Sequence, residues 1–303
     1  MPELTFYTLD VFTDLLFGGN QLAVFPDAPE MEPALMQAIA REFNYSETVF
    51  VRPTENAGAL RRLRIFTPGG ELPFAGHPTI GTAQLLVELG LAPGSGNGTS
   101  DFALEESVGL VPVSVSHIED GRYFTWLTAA RLPEAGPAPP PPELLAAMLG
   151  LAPDEIVSDL VDAPCSYSAG VPFTFVPVRD LEALGRAALD MPVWRKLLPR
   201  LWSPDIYLFC LNSTTAGADV RARMFGPAMG ITEDSATGGA AAAFAGYLWK
   251  RHGGPGSWII RQGVEMGRPS QLHVEVTGDS RAIGAVRVGG SAVRVSHGTM
   301  RVR

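Results

Sequence analysis

Two glycine-bearing loops hold residues suited to chemistry: Phe74-Ala75-Gly76-His77-Pro78-Thr79-Ile80-Gly81 and Glu233-Asp234-Ser235-Ala236-Thr237-Gly238-Gly239. Each runs into an apolar helical stretch. Free backbone N–H groups and the positive end of the helix dipole make such a start an anion site. Two starts facing one cleft would suit a small molecule bearing a carboxylate. For one loop taken alone, ordinary capping by Asp234, Ser235 and Thr237 is an equally good account. Glu47 lies in Asn44-Tyr45-Ser46-Glu47-Thr48-Val49-Phe50, at the mouth of a hydrophobic strand. An apolar setting raises a carboxyl pKa by desolvation, which suits a proton shuttle near neutral pH. The same spacing also fits a solvated glutamate at a strand end. His77, between Gly76 and Pro78, has the type to donate to a substrate or relay a proton, and equally to bond backbone as a structural histidine.

Other chemistries find no support. His117, His252, His273 and His297 stand in isolated polar or turn contexts, and no His-x-His, His-Glu-x-x-His or Cys-x-x-Cys spacing occurs, so a dedicated metal site is not expected. Gly-x-Gly-x-x-Gly and the P-loop pattern are absent, which argues against a nucleotide cofactor. Cys165 and Cys210 are the only cysteines, too few for a disulfide framework. Cys210 reads as a core thiol and Cys165 as a structural loop residue. Neither lies where a paired-thiol racemase would place its acid and base.

The elements that must position these residues follow from periodicity. Leu4 to Phe12 is β-rich, and Asn20 to Phe25 reads as a second strand after the turn at Gly18-Gly19. A helix is predicted over 33–43, with proline in its first turn and Leu35, Met36, Ile39 and Phe43 on one face. Thr48–Val51 and Arg61–Phe66 are further strands. The proline-rich stretch 133–142 suits a linker. An internal repeat decides the architecture. Arg64-Ile65-Phe66-Thr67-Pro68 recurs as Arg223-Met224-Phe225-Gly226-Pro227, an offset of 159 residues, and Thr48–Val51 falls on Tyr207–Cys210 at the same offset. With one residue of slippage, Thr79-Ile80-Gly81-Thr82-Ala83 matches Thr237-Gly238-Gly239-Ala240-Ala241. At offset 159 the partner of Glu47 is Ile206, so only one half would keep the carboxylate and a two-base racemase with mirrored bases is disfavoured.

Helices over 78–89 and 239–249 are apolar almost all round and must be buried on every side. The expected fold is therefore α+β, two pseudo-symmetric halves, each a curved, mostly antiparallel β-cage around a buried central helix. The halves are placed at residues 1–128 plus 292–303 and at 129–291, with the site in the cleft between them. The last strand, 292–302, should return to close the first cage.

Composition bounds the class. The 303 residues favour two domains over one, and 46% hydrophobic with 18% charged residues is globular. Gly 33 and Pro 26 fit many short elements joined by tight turns. Twenty-three Lys and Arg against 32 Asp and Glu give −9, with no basic cluster for nucleic acid or an anionic membrane. The longest apolar stretch, Ala240 to Trp249, is half of the ~20 residues a membrane span needs. Met1 to Thr5 shows no signal-peptide pattern. A cytoplasmic protein with no nucleic-acid and no membrane partner is expected.

The chain resembles the phenazine-biosynthesis PhzF-like family over nearly its whole length. The motifs are Asp10-Val11-Phe12-Thr13 with Phe17 to Val24, Ser46-Glu47-Thr48-Val49-Phe50, Glu71 to Gly81, Glu233 to Gly239, and Gln262 to Ser270. The resemblance implies the diaminopimelate-epimerase fold, a homodimer, and cofactor-free isomerisation of a dihydro-hydroxyanthranilate. It implies that Glu47 is the acid/base glutamate and that His77 and Asp234 contact the substrate. Asn20, Ser46, Gly76, Thr237, Gly238 and Gly239 would complete the ligand positions. Ser235 and Gly239 depart from the family's Asp-Pro-Ala-Thr-Gly-Ser, and Gly239 removes a hydroxyl from that loop. The expectation is a cofactor-independent isomerase or epimerase acting on a small carboxylate-bearing metabolite. The alternative is a non-catalytic small-anion-binding or interaction protein that retains the cleft.

Overall fold

The computed structural model describes residues 3–94, 98–118, 121–211 and 217–302. Met1, Pro2 and Arg303, which belong to the terminal readings above, lie outside them. The chain opens with β1 (Glu3–Val11), β2 (Asn20–Phe25), α1 (Pro33–Phe43), β3 (Glu47–Arg52), β4 (Arg61–Phe66) and β5 (Glu71–Leu72). Next come α2 (Gly76–Glu88), β6 (Thr99–Glu106), β7 (Gly109–His117) and β8 (Tyr123–Thr128). The proline-rich stretch contributes only the short edge strand β9 (Glu134–Ala135) before α3 (Pro142–Leu149). Then follow β10 (Cys165–Ser168), β11 (Pro172–Pro177), α4 (Leu181–Arg186), α5 (Met191–Leu197), β12 (Ile206–Cys210), β13 (Val220–Gly226) and β14 (Ile231–Asp234). The chain ends with α6 (Gly238–His252), β15 (Gly256–Gln262), β16 (Ser270–Gly278), β17 (Ile283–Gly290) and β18 (Ala292–Arg301).

The strands form one continuous sheet that curls twice, once around α2 and once around α6. Both helices are buried along almost their whole length, as apolar surface on every face requires. Phe244 of α6 packs against Phe175, Phe209, Tyr207 and Tyr247, at ring separations of 4.6–5.7 Å. Fully burying one such side chain contributes about 1.5–3 kcal/mol. Two ladders link the cages: β8 pairs with β7 and with β17, and β18 runs antiparallel to β1 over the whole length of β1. The α+β architecture of two sheet-wrapped helices is thus the one expected. Among the described residues, no helix is long and apolar enough to cross a membrane.

The repeat holds in topology, with two corrections in register. The second residues of the two central helices are His77 and Gly239, 162 residues apart. The sequence match of Thr79 with Thr237 therefore sets the helices one turn out of step. The strand match is also off. Thr48 pairs with Phe66 and Ile206 with Phe225, and an arginine lies over each of these phenylalanines, Arg64 and Arg223. Ile206 thus corresponds to Thr48, and the place of Glu47 falls to Asp205. The packing agrees: Ile206, Leu208 and Cys210 face the cluster of α3–α5, while Tyr207 and Phe209 face α6. A one-residue slip exchanges the two faces of a strand, and alternation alone could not detect it in a strand buried on both sides. Cys165 likewise begins β10 rather than sitting in a loop, and neither cysteine is in a disulfide.

Candidate active site

The two helix starts meet at the junction of the cages. A Cβ on Gly76 would stand 2.6 Å from the Cα of Gly238, and one on Gly238 would stand 2.8 Å from the Cα of Gly76. Only glycine at both positions allows the backbones to touch there. The N-terminal turns of α2 and α6 therefore present their free amides side by side, although each is capped by backbone context and not by its own N-cap side chain.

Asp234, at the end of β14, sits at the centre of the polar network. Its Oδ1 accepts from Asn20 Nδ2 at 2.7 Å and from Ser46 Oγ at 3.0 Å, and its Oδ2 accepts from Thr237 Oγ1 at 2.7 Å. Burial pushes its pKa up; the hydrogen bonds from Thr237, Asn20, Ser46 and the Ser235 backbone oppose this by favouring the ionised form. Asn20 Nδ2 also donates to the carbonyl of Ala236 at 2.9 Å, and lies 3.2 Å from Nδ1 of His77. One side chain from β2 thus bridges both helix starts.

Nε2, the other imidazole nitrogen, is turned towards Glu47, whose Oε2 lies 3.0 Å away. Their alignment is too poor for a hydrogen bond, and neither atom has another partner. Glu47 is 5% exposed, His77 2% and Asp234 3%, so water does not reach this pair freely. Burial lowers the pKa of His77 to about 3, against a hydrogen bond to the Gln21 backbone, and the imidazole is neutral at physiological pH. Glu47 is raised well above the usual carboxylate range, first by burial and then by the charge of Asp234. The two carboxyls differ in environment: Asp234 is surrounded by donors that favour its ionised form, whereas burial and the charge of Asp234 favour the protonated form of Glu47.

All nine residues singled out from the sequence meet at this junction, and Gly239 is the most loosely held of them. A Cβ there would meet only the Phe173 ring, 4.0 Å away. Asp205, the register counterpart of Glu47, is buried with its pKa raised to about 7, and burial is the sole cause. It feels no site charge, and the helix position that would oppose it, that of His77, is Gly239. The second half thus retains a carboxyl but no imidazole beside it.

Two supporting residues were not singled out, although both lie in the Gln262–Ser270 motif. Gln262 is fully buried; its Nε2 donates to the Asp234 carbonyl and to Thr237 Oγ1, and its Oε1 accepts from the Thr237 N–H. Arg268 pairs with Asp10 and donates to the carbonyls of Gly18 and Gly19, fixing the turn that delivers Asn20. Gln262 ends a strand and Arg268 lies in the loop that follows, and beyond the motif itself neither carries a local sequence signal.

Comparison with known proteins agrees with this arrangement. The family model for phenazine biosynthesis-like protein (PhzC-PhzF) matches residues 9–298. An uncharacterized isomerase of Mesorhizobium japonicum is 42% identical over 99% of this chain and 99% of its own length. The trans-2,3-dihydro-3-hydroxyanthranilate isomerase of Pseudomonas aeruginosa is 36% identical, covering 97% of this chain and 98% of its own. The crystal structure of the Bacillus anthracis PhzF-family phenazine biosynthesis protein superposes with a TM-score of 0.87 at 26% identity, covering 100% of both chains. The chain belongs to the phenazine biosynthesis-like PhzC-PhzF family and is an isomerase.

Proposed function

We propose that this isomerase moves a proton between two carbon positions of a small carboxylate-bearing metabolite, with Glu47 as the shuttle and no cofactor. The observation that carries the reading is the Glu47–His77 pair, two buried, unpartnered polar atoms 3.0 Å apart beside a satisfied Asp234. Buried polar atoms without partners are costly, and a substrate that supplies them gains what the free site lacks. A carboxyl raised towards working pH can both take and return a proton. In this reading the neutral His77 and the ionised Asp234 grip polar groups of the substrate and hold the reacting carbon over Glu47. The amides at Gly76, Gly238 and Gly239 receive the carboxylate, with Asn20, Ser46 and Thr237 holding the network. The same carboxyl returns the proton elsewhere on the substrate, so the electrons balance without a redox partner. The reading also takes the enzyme as a homodimer, and a monomeric mass by light scattering at micromolar concentration would overturn that part.

The test is isomerisation in deuterium oxide, starting with trans-2,3-dihydro-3-hydroxyanthranilic acid, the compound named for the Pseudomonas aeruginosa relative, and continuing through cyclic and amino carboxylic acids that raise the melting temperature. A ligand at 100 times its Kd adds about 2.7 kcal/mol to stability, enough to register. Deuterium should appear at a carbon of the bound compound. Tight binding with no exchange at any carbon would favour a binding protein that has kept the cleft.

A further inference from the structure

Glu106, the last residue of β6, is a buried carboxyl that the proton-transfer reading leaves unused. It lies beneath the first turn of α2. Ala75, the N-cap of that helix, has no side-chain acceptor, so the turn depends on groups from elsewhere. The Ala75 backbone favours the ionised form of the Glu106 carboxyl, but Glu106 Oε2 is buried with no hydrogen-bond partner. Thr79 Oγ1 stands 2.5 Å from Glu106 Oε1 and 2.7 Å from the Ala75 carbonyl oxygen. A hydroxyl has one proton, and a carbonyl can only accept. One arrangement satisfies both contacts: a protonated Glu106 donates to Thr79, and Thr79 donates to the Ala75 carbonyl. When Glu106 ionises, the Thr79 hydroxyl must turn to the carboxylate. The Ala75 carbonyl then keeps only the Thr79 N–H, at 3.4 Å.

We propose that Glu106 is a positioning residue whose protonated carboxyl donates to Thr79, leaving the Thr79 proton for the Ala75 carbonyl, and that this relay holds the turn that presents His77 to the site. The two residues that follow Ala75 are Gly76, packed on Gly238, and His77 itself, so a small shift of the N-cap alters the His77–Glu47 alignment. Burial raises the Glu106 pKa to about 8, against the Thr79 hydrogen bond and the Ala75 backbone. The helix N-terminus favours the charged form, but burial outweighs it. The titratable groups of the surrounding elements are engaged elsewhere. Arg64 and Glu71 pair across β4 and β5, Arg61 donates to the Leu60 carbonyl, and Glu105 accepts from Thr54. Arg62 is exposed, His117 lies at the far end of β7, and His77 on α2 is neutral. The relay thus holds at neutral pH and is lost as pH rises through about 8.

This inference rests on His77 as a substrate-contacting group, but its test needs no turnover and so stands or fails apart from the deuterium experiment. The probe is the His77 imidazole NMR resonance, assigned by its loss in His77→Gln and followed from pH 6 to 10 in a Glu47→Gln background, which removes the neighbouring titration. His77 itself titrates near 3, outside that window. The resonance should move with a midpoint near pH 8, and this movement should vanish in Glu47→Gln/Glu106→Gln, whose carboxamide can donate to Thr79 at every pH. Asp234 contributes equally to both traces. Thr79→Val should displace the resonance at neutral pH, and Thr79→Ser should restore it. Traces that coincide with and without Glu106, whether flat or moving, would overturn the proposal.

Discussion

The starts of α2 and α6 are alike in backbone and opposite in chemistry. Both are glycine turns at the mouth of a sheet-wrapped helix, and they touch at Gly76 and Gly238. The α6 side holds a carboxylate whose two oxygens accept from Asn20, Ser46 and Thr237. The α2 side holds a carboxyl and an imidazole whose facing atoms, Glu47 Oε2 and His77 Nε2, lie 3.0 Å apart and have no hydrogen-bond partner. Duplicated architecture thus carries one carboxyl among donors and one without them. Hydrogen bonding makes the difference, since burial raises both carboxyls but only Asp234 has donors that favour its ionised form.

The largest expected effect tests whether the cages stand separately. β18 runs along β1, and its Ala292 exchanges two hydrogen bonds with Gln84 of α2. Deleting residues 292–303 should abolish hydrogen-exchange protection in β1–β7 and α2 while α6, β11 and β12 remain protected. Uniform protection, or uniform loss, would mean the two cages fold as one unit. Next in size is Glu47→Gln, which keeps shape but cannot accept a proton. On a substrate confirmed by deuterium exchange, turnover should fall by ~10² or more with little change in binding, the usual scale for a lost general base. Near-native turnover would remove Glu47 from the shuttle role and leave the division of labour without a basis.

Two glycine substitutions sharpen the contrast at smaller scale. Gly76→Ala drives a methyl against the backbone of Gly238 and should destabilise by about 1–3 kcal/mol, as overpacking does. Gly239→Ala, one residue along on the α6 side, meets only the Phe173 ring at 4.0 Å. It should stabilise by about 0.4–1 kcal/mol through the unfolded chain. Thermal melting of the two variants reads both signs. Equal destabilisation would show that the α6 start is as tightly packed as the α2 start.

Much of this was local enough to read from the chain. The amphipathic face of 33–43 marks α1 to the residue, because a surface helix writes its buried stripe into its own sequence. The two central helices declare themselves by having no polar face, and begin only one or two residues earlier than their apolar runs. Glu47, His77 and Asp234 are legible because each sits beside a local signal, a strand mouth or a glycine turn. What the chain alone left open was non-local. Repeat spacing pointed to Ile206 as the mate of Glu47, and only the ladder to Phe225 shows that Asp205 holds that place. A strand buried on both faces lacks the alternation that would betray the slip. Nothing in the sequence marks Glu106, because the burial that raises its pKa is a property of what α2 lays over it. The contact of Gly76 with Gly238 joins residues 162 apart, and nothing in either loop specifies its partner. The sequence by itself determined which segments bend, pair and bury. Tertiary structure alone decided which carboxyl is surrounded by donors and which is not, because those donors come from distant strands.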